Sequence, residues 1–121
     1  MKLKEKIAVV SLWAPDVKET AHFYMDVLGL KLMGEHHGGR PHFELGDSVL
    51  TLLEGKPSPA RDTTVERFPL LAFETEDIES AKQHLEAHKV DLPWGLEVDH
   101  YSKWVMFHDP AGNLIEIAEF D

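Results

Sequence analysis

The chain of 121 residues carries 12 Lys and Arg against 22 Asp and Glu, a formal net charge of −10, and it has no cysteine. That charge repels a nucleic-acid backbone and an anionic membrane surface, and the missing thiols exclude a disulfide framework, a cysteine nucleophile and a thiolate metal site. The length suits a single domain, residues 1–121, with a core large enough to fold unaided, so the expected partner is a small molecule or a second copy of the chain.

Met1 to Lys6 is basic and leads into the apolar run Ile7 to Ala14, which has the outline of a secretory leader. The run is at the short end of the roughly 7–15 apolar residues of such leaders, and a helix start, Pro15-Asp16, stands where a pair of small residues would be cleaved. No stretch approaches the ~20 apolar residues of a membrane span. The expected location is cytoplasmic.

Ile7 to Trp13 is rich in β-branched residues and predicts a buried strand. Asp16 offers an N-cap oxygen, and Glu19 completes a capping-box spacing. Val17, Ala21, Tyr24 and Leu28 then stack on one helical face, and Gly29 ends the helix. Three short strands are expected at Leu30 to His36, Arg40 to Leu45 and Ser48 to Leu53, separated by the turn signals Gly38-Gly39 and Gly46-Asp47.

Residues 57–67, with Pro57, Ser58 and Pro59 followed by polar residues, lack periodicity and read as a linker. The pattern then restarts. Phe68 to Glu74 predicts a strand, Asp77 caps a second helix with Ile78, Ala81 and Leu85 on its apolar face, and strands follow at Trp94 to His100, Lys103 to His108 and Leu114 to Phe120. A turn at Asp109-Pro110-Ala111-Gly112-Asn113 precedes the last strand.

An internal repeat organises these elements. A shift of 61 residues lays Val9 on Leu70, Ser11 on Ala72, Asp16 on Asp77 and Val17 on Ile78, so strand, cap and first helical turn coincide. The expected fold class is α+β, with a first βαβββ module at residues 1–56 and a second at 68–121.

The motifs Ala14-Pro15-Asp16, Phe23-Tyr24, Val27-Leu28-Gly29-Leu30, Ala72-Phe73-Glu74-Thr75-Glu76-Asp77-Ile78 and, most specifically, Asp109-Pro110-Ala111-Gly112-Asn113-Leu114-Ile115-Glu116 resemble the vicinal oxygen chelate superfamily of glyoxalases, bleomycin-resistance proteins and extradiol dioxygenases. The resemblance implies curved mixed sheets around a ligand cavity, helices on the outer faces, and a homodimer. Lys89 stands where the family often has Gly, and a left-handed backbone there would cost about 1 kcal/mol.

Enzymes of that family hold a divalent metal at four positions, which fall here on Val9, Thr51, Leu70 and Glu116. Only Glu116 is an ordinary ligand, and one carboxylate falls short of the roughly four to six donors such an ion needs. No metal and no other cofactor is expected. Strand alternation that points Glu116 inward also turns in Trp104, Met106 and His108 and, in the first half, Arg40, His42 and Glu44. A relocated metal site of His42, His108 and Glu116 is conceivable, whereas His36-His37 suits a solvated hairpin tip, and His22, His84 and His88 suit the surface. Trp13 and Glu74 complete the expected cavity wall, with core or dimer-interface packing an equal reading for Trp13.

Indole surface with carboxylates suits a flat or cationic molecule, bound by stacking and cation–π contact. The leading expectation is therefore a small-molecule binding protein with Trp13, His42, Glu44, Thr51, Glu74, Trp104, Met106 and His108 as ligand contacts. Its alternative is a lyase, isomerase or dioxygenase in which Glu116 is a ligand or general base.

Overall fold

The computed structural model describes residues 1–2, 4–36, 39–56 and 71–121, with backbone alone at residues 34–36. The chain divides into two compact units, Met1–Pro57 and Ser58–Asp121. Each holds a four-stranded mixed sheet, and together their elements make the α+β class of two βαβββ modules. The expected linker at 57–67, the start of the second module at 68–70 and His37 lie outside the described residues.

In the first unit, β1 (Val9–Ala14) is followed by α1 (Val17–His22) and then by β2 (Leu32–His36), β3 (Arg40–Leu45) and β4 (Ser48–Glu54). The sheet order is β1-β4-β3-β2, with β1 parallel to β4 and the other pairs antiparallel. Asp16 caps α1 as its spacing predicts, its Oδ1 accepting from the Glu19 N–H at 3.0 Å. The rest of the expected helix differs, because Phe23–Val27 is wound as a π-helix. Leu28 N–H donates to the Phe23 carbonyl at 3.2 Å, which places an extra residue in the turn. Tyr24 in that wider turn is completely buried and lies 6.0 Å from the Phe43 ring. Gly29, at φ +72°, then ends the helical segment in the left-handed conformation that glycine adopts without strain.

Ala14, Tyr24, Phe43, Leu50 and Leu52 form the core of this unit. Burying each of the larger side chains contributes about 1.5–3 kcal/mol, and together they fix which face of the sheet the helix covers. Strand β1 begins at Val9 rather than Ile7, and Ile7 is instead exposed, its carbonyl accepting from the Ser48 hydroxyl.

The second unit repeats the plan with β5 (Leu71–Glu74), α2 (Ile78–Ala87), β6 (Glu97–Val98), β7 (Ser102–His108) and β8 (Leu114–Phe120), in the order β5-β8-β7-β6. Strand β5 is parallel to β8. Ile78, Leu85, Val105, Phe107 and Ile115 are buried between α2 and the sheet. The start of α2 is held twice: Asp77 Oδ1 accepts from the Ser80 N–H at 3.2 Å, and Glu119 Oε1 on β8 accepts from the Ile78 N–H at 2.9 Å. Lys89 has φ 60°, so the left-handed residue after α2 is not a glycine.

The strand expected over Trp94 to His100 contracts to Glu97–Val98. Two turns shorten it. Gly95, at φ +63°, donates its N–H to the Leu92 carbonyl at 3.0 Å, and Asp99 Oδ1 accepts from the backbone N–H groups of Tyr101 and Ser102 at 2.8 and 2.7 Å. Those bonds draw the backbone out of the ladder on both sides.

Candidate functional site

Alternation along the strands gives each sheet one face toward its helix and one away from it. In the first unit Leu50, Leu52 and Phe43 lie on the helix side, so Val9, Ser11 and Trp13 of β1, Thr51 of β4 and His42 and Glu44 of β3 share the opposite face. One cross-strand row reads Ser11, Thr51, His42. The Thr51 hydroxyl is buried and donates to the Pro41 carbonyl at 2.8 Å, which engages its only proton. His42 Nδ1 lies 2.9 Å from the Arg40 carbonyl, and Glu44 lies 3.7 Å from Lys31. Trp13 is half exposed and sits against Gly55, where a Cβ would come within 2.6 Å of the indole.

In the second unit the buried side chains Val105, Phe107 and Ile115 face α2, which turns Trp104, Met106, His108 and Glu116 to the other side with Ala72 and Glu74. Two rows cross this face. One reads Glu97, Trp104, Ala118, Glu74 through all four strands, and the next reads Met106, Glu116, Ala72. Trp94, more than half exposed, reaches the same side, with its ring 6.4 Å from that of His108.

Electrostatics single out one corner of this second face. Burial, reinforced by the negative charge of Glu97, raises the Glu116 carboxyl above its ordinary value. Beside it, Trp104 Nε1 and Glu97 Oε1 are both fully buried and have no hydrogen-bond partner among the described residues. A buried donor or acceptor left unmet costs roughly 1–3 kcal/mol, and such groups are rare in folded proteins. A buried indole N–H and a buried carboxylate oxygen therefore belong to one cross-strand row, beside the row that holds Met106 and Glu116.

Sequence reasoning named Trp104, Met106, His108, Glu74 and Glu116 on this face but missed Glu97 and Trp94. The available signal for Glu97 was the Asp99 to Ser102 turn, because a turn there fixes the register that sets Glu97 opposite Trp104. His22 pairs with Asp26 at 3.3 Å on the surface, and His84 on α2 and His88 just after it are exposed with their rings 4.3 Å apart. His36 has no described side chain.

The residues at the family's metal positions do not suit a metal ion. Val9 offers only hydrocarbon, the Thr51 hydroxyl proton is committed to Pro41, Leu70 lies outside the described residues, and Glu116 supplies one carboxylate. No group of three or more His, Asp or Glu side chains among the described residues could hold a metal. His42 belongs to the first sheet, His108 and Glu116 to the second.

The fold class is α+β in two units, with a mixed sheet in each and polar and aromatic side chains on the face opposite each helix. The chain belongs to the glyoxalase, bleomycin resistance protein and dioxygenase superfamily, whose family model matches residues 6–117. It is 31% identical over 120 residues to the uncharacterized protein YaeR of Escherichia coli (strain K12), covering 91% of this chain and 92% of YaeR. Among solved structures, lactoylglutathione lyase from Agrobacterium tumefaciens is similar at 25% identity and a TM-score of 0.74, covering 98% of this chain and 96% of that one. TnmS3, an antibiotic binding protein from Streptomyces sp. CB03234, shares the fold over the whole length of both chains with a TM-score of 0.78 at 19% identity.

No helix among the described residues is long and apolar enough to cross a membrane.

Proposed function

We propose that the chain binds a small aromatic or cationic organic molecule, with no metal at the positions where family enzymes hold one. The observation that supports this most directly is the unmet Trp104 N–H and Glu97 carboxylate beside Glu116. On the second sheet, Glu74, Glu97 and Glu116 supply negative charge, while Trp104, Met106, Trp94 and His108 supply flat, polarizable surface. Trp13, His42, Glu44 and Thr51 on the first sheet are further contacts in this proposal. TnmS3, described as an antibiotic binding protein, has the same fold, so a binding role suits this architecture. The proposal includes a cytoplasmic homodimer, which sedimentation equilibrium can check.

Thermal unfolding in the presence of a panel of aromatic cations tests the function. A ligand that binds only the native state raises the melting temperature, by an amount set by its concentration relative to Kd. At least one member of the panel is expected to do so, with or without chelator; stoichiometric Zn, Ni, Mn or Fe in protein purified without added metal overturns the metal-free function.

The raised Glu116 carboxyl favours a second reading, in which it is the general base of a lyase, isomerase or dioxygenase. Glu116→Gln separates the two. Loss of a turnover with folding intact supports the enzyme, and loss of affinity for cationic ligands alone supports the binder.

A further inference from the structure

Trp104 and Glu97 are direct cross-strand partners on β7 and β6. Opposed residues have Cβ atoms about 4.5–5.5 Å apart, so the two side chains start out as neighbours on one face of the sheet. Trp104 Nε1 can only donate a hydrogen bond, and an ionised Glu97 can only accept. Both atoms are shielded from water and neither has a partner among the described residues. Cross-strand pairing sets the two residues opposite one another, so one donor and one acceptor of opposite hydrogen-bond polarity belong to the same row of the face.

Three common ligand types fit this pair poorly. A quaternary ammonium has no N–H for Glu97 and no acceptor for Trp104. A primary ammonium satisfies Glu97 and leaves the indole N–H unmet, while a carboxylate satisfies the indole but is repelled by Glu97, Glu116 and Glu74 on the same face. What satisfies both is a flat group whose edge presents an acceptor next to an N–H.

We propose that the ligand is recognised through a planar acceptor–donor edge, as in a primary aryl carboxamide or a 2-aminopyridine, with Trp104 Nε1–H donating to the acceptor and Glu97 Oε1 accepting from the neighbouring N–H. This rests on the binding function proposed above and adds the chemical class of the ligand. Met106 and Glu116 form the next row of the face, so the ring carrying the edge lies over thioether and carboxyl, and 2-aminopyridine offers its acceptor there only as the neutral base.

Isothermal titration calorimetry of the full chain with four probes tests the inference. Benzamide and 2-aminopyridine carry the edge; N,N-dimethylbenzamide and phenyltrimethylammonium keep the ring and lack it. The edge-bearing probe is expected to bind at least tenfold tighter than its blocked counterpart, and Trp104→Phe, which keeps an aromatic ring and deletes the N–H, is expected to bring that ratio toward one. Equal affinities for the two kinds of probe in the unmodified protein overturn the edge while leaving a binding function standing. Binding of none of the four overturns both. Because the comparison among probes uses the unmodified protein, it decides the matter even where Trp104→Phe fails to fold.

Discussion

Thr51 and Glu116 hold the same place in the two sheets: Thr51 is paired with Ser11 and His42, Glu116 with Ala72 and Met106, in matching parallel and antiparallel registers. At these equivalent points one residue turns its hydroxyl to a backbone carbonyl and the other carries a carboxyl raised by burial and by the charge of Glu97. The twofold repeat therefore carries no matching pair of metal ligands. Chelation and dialysis are expected to leave the melting temperature unchanged, with elemental analysis showing far less than one metal per chain; a fall of several degrees on chelation would contradict this. Thr51→Val, which leaves the Pro41 carbonyl without that donor, is expected to cost about 0.5–1.5 kcal/mol in urea unfolding.

Glu116 makes stability depend on pH in a direction that can be stated. Its folded-state carboxyl is raised, first by burial and then by Glu97, above an ordinary value of 4.5. In the interval between that ordinary value and the raised one, the folded protein binds more protons than the unfolded chain, so stability falls as pH rises through it and is level above. Glu116→Gln removes the ionisation. Unfolding measured from pH 4 upward is expected to show a shallower decline in the variant, with its greatest relative gain above the raised value; parallel profiles would refute the assignment.

Trp13 owes its seat to Gly55. A Cβ at residue 55 would approach the indole Cε3 to 2.6 Å, well inside contact distance, so Gly55→Ala must push the ring aside. The backbone there is also tied down, with the Gly55 N–H donating to the Ala14 carbonyl at 3.0 Å. A destabilisation of about 1–3 kcal/mol is expected, as for other overpacked sites, together with a shift in tryptophan fluorescence. An unchanged spectrum and stability would show that the indole is not held.

Asp109 is 4% exposed, and its carboxylate accepts from the backbone N–H groups of Ala111 and Asn113 and from the Asn113 amide, each at 2.9 Å. It organises the turn that brings β8 back beside β7. Asp109→Ala would leave these donors without that acceptor, and a loss of roughly 2–4 kcal/mol is expected by chemical denaturation. A loss below about 0.5 kcal/mol, the range of ordinary surface substitutions, would contradict that structural role.

Much of the architecture was legible in the residues. The caps at Asp16 and Asp77 and the spans of β3 and β8 follow from local rules, because capping and two-residue alternation act over a few positions at a time. The left-handed backbone at Lys89 was indicated by the resemblance, which has Gly at that place. The π-helical turn at Phe23–Val27 and the two-residue β6 were not, since both depend on competing hydrogen bonds whose partners periodicity does not reveal.

The candidate site divides in the same way. With Glu116 oriented by the resemblance, alternation places Trp104, Met106 and His108 on its face, and the side-chain chemistry at Val9 and Thr51, the family's metal positions, argues against a metal. Only the tertiary structure brought Glu97 opposite Trp104, set Trp94 near His108 and left an indole N–H and a carboxylate oxygen buried without partners among the described residues. The reason is physical: which face a side chain takes is a local property of its strand, whereas strand register and the desolvation of a particular atom depend on segments the chain must first fold together.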